Sequence, residues 1–160
     1  MKRKMPVLLA ALALAGLGAA VPAAAAQAAP SREALDTSCR AAWSHTAPGN
    51  MAAYPHSNCR GYLGSTGSWD SDWGNNSGPF RGGDTNQASA VLNKGTSGMA
   101  VAVYNGTGTD WGGGYACLAR SESYASNLND DRFHNGVSAN DAISSHRWVR
   151  NAQCYGHWLR

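Results

Sequence analysis

The residues with the clearest capacity for chemistry lie in the segment NDAISS, Asn140–Ser145. The carboxylate of Asp141 and the hydroxyl of Ser144 are hard oxygen ligands of the kind that calcium prefers, and backbone carbonyls complete such a shell. A structural interpretation stands beside this one. Asn140 and Asp141 would fix a turn through bonds from their side chains to the backbone, and the serines would lead into a strand. The residue types favour the structural interpretation, and the metal remains open.

A similar segment lies 55 residues earlier in the chain, which indicates an internal repeat. Asn86 aligns with Asp141, and Ser89 aligns with Ser144. The same shift pairs further residues: Tyr124 with Trp69, Leu128 with Trp73, and Leu118 with Leu63. We therefore expect two copies of one structural unit.

The stretches around these motifs are rich in Gly, Ser, Asn and aromatic residues, which is typical of short strands joined by tight turns. Met99–Gly106 is the clearest strand and Gly114–Arg120 is the next, so together they predict a hairpin. Helical periodicity is sparse, and Arg32–Arg40 predicts only one short turn of helix. Ala41–Thr46 matches the first hairpin strand only with a gap. Four short strands per copy, twice over, predict an all-β Greek-key sandwich.

The N-terminal segment 1–28 has the pattern of a secretory signal peptide: a basic start, an apolar run and small residues before a cleavage point after Ala28. A membrane anchor is the alternative, but the apolar run is shorter than the roughly 20 residues that a bilayer requires, and Pro22 interrupts it. We predict a secreted, extracellular protein with a flexible arm over residues 29–37.

Removal of the signal makes the protein nearly neutral. The whole chain has 13 Lys and Arg against 10 Asp and Glu, and three of the basic residues lie in the signal, which leaves 10 against 10. Nucleic acids and anionic membranes bind clustered positive charge, so neither is expected as a partner. A monomer is expected.

Four cysteines follow the signal, namely Cys39, Cys59, Cys117 and Cys154. An even number in an exported protein predicts two disulfides, with three possible pairings. Cys39–Cys59 with Cys117–Cys154 is favoured because each bond then closes a modest loop within its own half. Zinc binding is disfavoured because no two cysteines have CxxC spacing.

No catalytic arrangement is visible in the sequence. The five histidines show neither zinc-ligand spacing nor a paired nucleophile and acid. We predict that the protein is not an enzyme and needs no cofactor.

The segment NDAISS fits the Asn/Asp-Asn/Asp-x-x-Ser/Thr-Ser signature of the βγ-crystallin superfamily, and Cys117–Val149 resembles the second half of the secreted actinobacterial peptidase inhibitors that share this fold. The resemblance implies a disulfide-stabilised βγ-crystallin-like sandwich over residues 38–160. Motif one would cover about 38–95 and motif two about 98–150. It also implies an early strand at Ala42-Trp43.

In the related crystallins, each calcium site mixes ligands from both motifs. By similarity, Asp141 and Ser144 would act with Asn86 and Ser89. The first copy departs from the signature at three positions, and this weakens the expectation: Thr85 stands at the first position, Asn86 carries no charge, and Ala90 stands at the last. One carboxylate across two sites predicts weak binding, about millimolar or worse.

The resemblance implies a secreted inhibitor of metalloendopeptidases whose partner is a secreted protease. The inhibitory loop is unknown from sequence, with His45–His56 and Asn75–Gly83 as candidate exposed segments. The alternative is a non-inhibitory βγ-crystallin-type module that binds calcium weakly or binds cell-wall carbohydrate. Trp69 and Trp73 would then form a sugar platform, whereas the structural interpretation makes Trp69 a corner aromatic and Trp73 a core residue.

Overall fold

The protein is represented by a computed structural model that describes residues 32–160. The predicted signal peptide and the first residues of the predicted arm lie outside the described residues. The elements are helix α1 (Arg32–His45) and strands β1 (Met51–Tyr54), β2 (Gly64–Thr66), β3 (Ala90–Asn93), β4 (Ala100–Tyr104), β5 (Tyr115–Leu118), β6 (Tyr124–Ala125) and β7 (Ser145–Val149). No helix in this range is long and apolar enough to cross a membrane.

The strands form two antiparallel sheets that exchange segments between the motifs. The first sheet has the order β2-β1-β3-β6, and the second has the order β5-β4-β7. Strand β6 belongs to motif two but pairs with β3 of motif one. In the opposite direction, Asp70 of motif one forms an antiparallel β-bridge with His146 in β7 of motif two. This topology confirms the predicted βγ-crystallin-like sandwich of two Greek-key motifs.

The pairing registers reproduce the 55-residue repeat at these exchanged segments. Val91 pairs with Ala125, and His146, which lies 55 residues after Val91, pairs with Asp70, which lies 55 residues before Ala125. The two crossings are therefore equivalent. Trp69 and Tyr124, the residues directly before them, occupy corresponding places.

The first strands follow a different shift from the one predicted. Tyr54 pairs with Ala90 as Tyr104 pairs with Ser145, so β1 corresponds to β4 without a gap. The predicted match of Ala41–Thr46 to this strand is wrong. The predicted match of Leu63 with Leu118 is also wrong, because β4 pairs Val101 with Leu118 whereas β1 pairs Met51 with Thr66.

Both faces of each sheet are covered, so the protein has three apolar layers. Alternate residues of β1 show the arrangement, since Met51 and Ala53 lie in the central core whereas Ala52 and Tyr54 lie in an outer cluster. The central core also contains Trp73, Phe80, Leu118, Leu128, Phe133 and Ile143. The outer face of the first sheet packs against Ala42 and Trp43 of α1. The outer face of the second sheet packs against the C-terminal segment, including Cys154 and Trp158.

Helix α1 corrects two expectations. It spans Arg32–His45, which is longer than the single turn predicted for Arg32–Arg40, and it includes the Ala42-Trp43 pair that was expected in a strand. The helix also runs through positions 32–37 of the predicted arm. Tertiary packing explains the difference, because the helix buries Cys39 completely and places Trp43 against the first sheet.

Lys94 stabilises the C-terminal end of α1. Its Nζ donates hydrogen bonds to the carbonyl oxygens of Trp43 at 2.6 Å and Thr46 at 2.7 Å. Carbonyl groups in the last turn of a helix lack partners within the helix, and a cation there also complements the helix dipole.

The structure contains the two favoured disulfides. Cys39–Cys59 joins α1 to the connection after β1, and Cys117–Cys154 joins β5 to the short 3-10 helix Asn151–Cys154. Each bond therefore attaches an outer cover to its own sheet.

His146 is a buried polar residue at the crossing of the two motifs. Trp73 Nε1 donates to His146 Nδ1 at 2.9 Å, and Nε2 lies 3.2 Å from the carbonyl oxygen of Ser68. These partners define a neutral ring that is protonated on Nε2. Burial lowers the pKa of His146 from 6.5 to about 4.

We expect the His146 ring to remain neutral in the folded protein as the pH falls from 7 to about 4. The stability that depends on this neutral ring is fully present above 6.5 and is lost as the pH falls toward about 4, because only the unfolded chain gains the proton in that range. A pH titration of the ring carbon and nitrogen chemical shifts measures this directly. A ring that titrates near 6.5 would contradict it.

Asp131 also contributes to the pH dependence of the free energy of unfolding. Burial raises the pKa of this carboxyl from 3.8 to about 6, so its contribution is present below 3.8 and is lost as the pH rises through about 6. The contributions of His146 and Asp131 to the free energy of unfolding change with pH in opposite directions and partly cancel. The chemical shifts of His146 report on its own protonation alone, so they are the decisive measurement.

Candidate functional site

The two NDAISS-type segments meet at the interface of the motifs. The backbone N–H of Asn86 donates to the carbonyl of Ile143 at 2.8 Å, and that of Asp141 donates to the carbonyl of Ala88 at 2.9 Å. Asn86 has φ of 57° and Asp141 has φ of 51°. Asn and Asp tolerate this left-handed conformation better than most residues, which explains their presence at the two turns.

The side chains of the four predicted site residues pair across the motifs. Ser89 Oγ lies 3.1 Å from Asp141 Oδ1, and Ser144 Oγ donates to Asn86 Oδ1 at 2.9 Å. Each cluster therefore joins a serine of one motif to the Asx residue of the other. Sequence similarity anticipated this mixing of partners.

The arrangement supplies few strong ligands for a cation. Within residues 32–160 there is no group of three or more His, Cys, Asp or Glu side chains that could hold a metal ion. Asp141 is the sole carboxylate among the four residues, and one of its oxygens also accepts a 2.8 Å hydrogen bond from Asn140 Nδ2. The Asn140 Oδ1 atom is buried and has no hydrogen-bond partner in the described structure, so it is a further oxygen donor beside the carboxylate. These donors fit a weak calcium site at most.

A second candidate site is a cavity of about 390 Å³ beside β7, an edge strand of the second sheet. We call it the aromatic cavity, and its lining residues are Trp69, Thr109, Trp111, Arg147 and Trp148. The Trp69 and Trp111 rings meet edge to face with centroids 6.0 Å apart. Trp69 is 55% exposed, although it lines this cavity.

Arg147 gives the aromatic cavity a positive charge and hydrogen-bond donors. Its guanidinium lies 5.0 Å from the Trp111 ring and 5.5 Å from the Tyr104 ring, and Nε donates to Tyr104 Oη at 2.8 Å. Cation–π contact and this hydrogen bond hold the planar group in place. The structure shows no further hydrogen bond from Arg147 to the described residues, so its terminal nitrogens retain donor capacity.

Sequence reasoning anticipated only Trp69 of this cavity. The spacing pattern paired Trp69 with Trp73, but Trp73 is completely buried in the core, as the structural interpretation predicted. Trp111, Arg147 and Trp148 were not singled out, because they lie far from Trp69 in the sequence. The Asp70–His146 bridge brings Arg147 and Trp148 near it, and the hydrogen bond from Gly108 N to the carbonyl of Ser71 holds the loop of Trp111 there.

The two candidate inhibitory segments differ sharply. His45–His56 contains the whole of β1, a central strand of the first sheet with every residue buried, so this segment is not an exposed loop. Asn75–Gly83 is exposed at most of its positions, and Phe80 is its one buried residue. The Phe80 ring stacks on Trp73 with centroids 4.0 Å apart.

A larger cavity of about 590 Å³ lies between α1 and the start of the first sheet. Thr46, Tyr54, Cys59 and Tyr62 are among the residues that line it. It contains no charged pair and no cluster of potential catalytic groups among its lining residues. We assign no chemistry to it.

Comparisons with known proteins add context to the fold. No sequence-family model matches the chain, and no curated protein sequence matches it. A structure solved in work on the evolution of the eye lens βγ-crystallin domain fold shares 22% identity, covers 65% of this chain and 88% of its own, and has a TM-score of 0.47. A βγ-crystallin from Ciona intestinalis shares 13% identity, covers 62% of this chain and 99% of its own, and has a TM-score of 0.45. The fold assignment itself rests on the sheet topology described above.

We expect Asp141→Ala to destabilise the protein by about 1–2 kcal/mol, because it removes the acceptor of Asn140 Nδ2 and one of the two acceptors near Ser89 Oγ, and places alanine in a left-handed conformation. Asp141→Asn is the matched control, since it keeps an oxygen acceptor and tolerates this conformation, and its effect should remain within about 0.5 kcal/mol. Urea unfolding monitored by circular dichroism measures both changes. Equal stability of the two variants would contradict the structural role of the Asp141 side chain.

Proposed function

We propose that the protein is a secreted proteinase inhibitor that acts on metalloendopeptidases through the loop Asn75–Gly83. The observation that carries the proposal is the anchoring of this exposed loop by Phe80, which is buried against Trp73. The neighbours Pro79 and Arg81 remain exposed. An exposed segment fixed at its centre is suited to entering a protease cleft.

Internal hydrogen bonds support the preorganisation of the loop. Gly82 N donates to the carbonyl of Asn75 at 2.8 Å, which closes the loop at its base. Arg81 Nε donates to the carbonyl of Gly78 at 2.8 Å, and Ser77 N donates to Asn75 Oδ1 at 2.7 Å. A segment that is already ordered loses little conformational entropy on binding, so more of the contact energy contributes to affinity.

The disulfide-linked layers support resistance to cleavage. Proteolysis requires local opening of the chain, and both outer covers are attached to their sheets by disulfides. Two disulfides also indicate an oxidising compartment, which agrees with the proposed secretion.

We expect the mature protein to inhibit a thermolysin-like metalloendopeptidase at micromolar concentration, and Arg81→Ala to weaken inhibition by about tenfold through loss of a loop contact or an enzyme contact. Val137→Ala is the control, because Val137 is 46% exposed in the corresponding loop of motif two. Residual protease activity against inhibitor concentration gives the inhibition constants, with a serine protease assayed in parallel. No inhibition of the metalloenzyme at micromolar excess would overturn the proposal, and so would equal inhibition by both variants.

A second candidate function is weak calcium binding by a non-inhibitory βγ-crystallin-type module. The observation that favours it is the cross-motif pairing of Ser89 with Asp141 and of Ser144 with Asn86. This pairing places oxygen donors of both motifs together in two clusters. The bound ion would supply only charge that holds the two turns together.

We expect 10 mM calcium to raise the melting temperature of the mature protein by no more than about 2 °C, which corresponds to roughly 0.4 kcal/mol for a dissociation constant of about 10 mM. Asn86→Asp adds a carboxylate to the second cluster and should increase the shift to about 5 °C through tenfold tighter binding. Asn76→Asp is the control, because it makes the same charge change in the exposed loop. Differential scanning calorimetry measures the shifts. An Asn86→Asp variant that responds no more than the control would exclude the site.

The remaining alternative, binding of cell-wall carbohydrate, involves a different surface. It depends on the aromatic cavity and not on the loop or the paired serines.

A further inference from the structure

We propose that the aromatic cavity binds a saccharide, with a pyranose ring stacked on Trp69 and sugar oxygens accepting hydrogen bonds from Arg147. The inference makes the carbohydrate alternative specific, and it is independent of the proposed inhibition. Its occupant is a sugar chain and not a peptide, for the reasons that follow.

The shape and chemistry of the cavity match a sugar ring. A pyranose has an apolar face of C–H groups and a rim of hydroxyl groups. The exposed indole of Trp69 offers an electron-rich face to the C–H groups, and the edge-to-face Trp111 ring forms a second wall at 88° to it. Arg147 and Thr109 supply polar groups at the same cavity. The cavity volume of about 390 Å³ lies within the roughly 300–1,000 Å³ of small-molecule sites.

The backbone at Trp111 is held in a strained conformation. Trp111 has φ of 55°, which is unfavourable for a bulky aromatic residue. The surrounding loop tolerates it because Gly108 N donates to the carbonyl of Ser71 at 2.8 Å and Gly114 N donates to Asn105 Oδ1 at 2.6 Å. Such strain persists where neighbouring structure over-determines it, and it concentrates at binding sites.

The equivalent surface of the first sheet is covered. There, the residues that correspond to Trp69 and Arg147 are Tyr124 and Leu92, and both belong to the apolar cluster on which Trp43 of α1 packs. On the second sheet the C-terminal cover packs with Trp158 on the cluster that contains Cys117 and Val149, and Trp69 remains open. The chain therefore covers the aromatic surface in one half and exposes it in the other.

The donors are positioned before a ligand arrives. The guanidinium of Arg147 is fixed by two aromatic rings and by Tyr104 Oη, so a sugar hydroxyl or acyl oxygen meets oriented N–H groups. A peptide backbone would need matched donors and acceptors along an exposed strand edge. At β7, the edge strand that contributes Arg147 to the cavity, His146 is instead bonded through both its N–H and its carbonyl to Asp70.

The test is a titration of the ¹⁵N-labelled mature protein with three soluble probes: a β-1,4-linked glucose oligomer, its N-acetylated counterpart and an oligouronate. We expect at least one probe to shift the indole N–H signals of Trp69 and Trp111, and to leave that of the buried Trp73 unchanged. Trp69→Ala should weaken binding by roughly threefold to tenfold through loss of stacking. Arg147→Lys should also weaken it, because Lys lacks the planar fork of donors.

Tyr155→Ala is the matched control, since Tyr155 is 78% exposed and does not line the cavity, and its binding should equal that of the unaltered protein. The proposal is overturned if no probe shifts these signals up to about 20 mM, the weak limit of useful affinity. It is also overturned if Trp69→Ala binds as well as the control, or if an unstructured peptide of similar length alone produces the shifts. Protease inhibition should be the same in Trp69→Ala and the unaltered protein, which separates this outcome from failure of the inhibitor proposal.

Discussion

The fold depends on a reciprocal exchange of backbone hydrogen bonds between its two motifs. At the turns, Asn86 and Asp141 donate to carbonyls of the opposite motif, and Trp73 and Leu128 repeat the exchange by donating to the carbonyls of Ser144 and Ser89. Buried backbone groups require partners, and here each motif holds the partners of the other. The two halves therefore complete each other, and the central apolar core closes between them.

A second constraint is that both faces of each sheet are apolar and need a cover. The chain uses α1 for the first sheet and the C-terminal segment for the second, with a disulfide joining each cover to its sheet. The two covers differ in shape, since one is a helix of 14 residues and the other contains a 3-10 helix of 4. Because of this difference, the aromatic surface around Trp69 is exposed beside the second sheet, whereas the equivalent surface of the first sheet is covered.

The candidate sites lie on connections held by this scaffold. The loop Asn75–Gly83 is attached through Phe80 to Trp73, which in turn bonds to His146 at the motif crossing. The aromatic cavity is attached to the same crossing, because Asp70 next to Trp69 pairs with His146 next to Arg147. A rigid core that presents loops is a common basis for binding, and here one crossing orients both sites.

The sequence alone determined which stretches form strands such as β4 and β5, where the two Asx-Ser turns lie and how far apart they are, and which cysteines are available for disulfides. Each of these depends on residue types that are read directly from short stretches of the chain. It could not assign Ala42-Trp43 to a helix, since that helix depends on burial against the first sheet. It also could not place Leu118 in its true correspondence, because the repeat shift changes between the first strands and the exchanged segments. Only the tertiary structure brought Trp69 to Arg147. Their common place at the cavity depends on strand exchange between motifs, and no local pattern records which distant segments will pair.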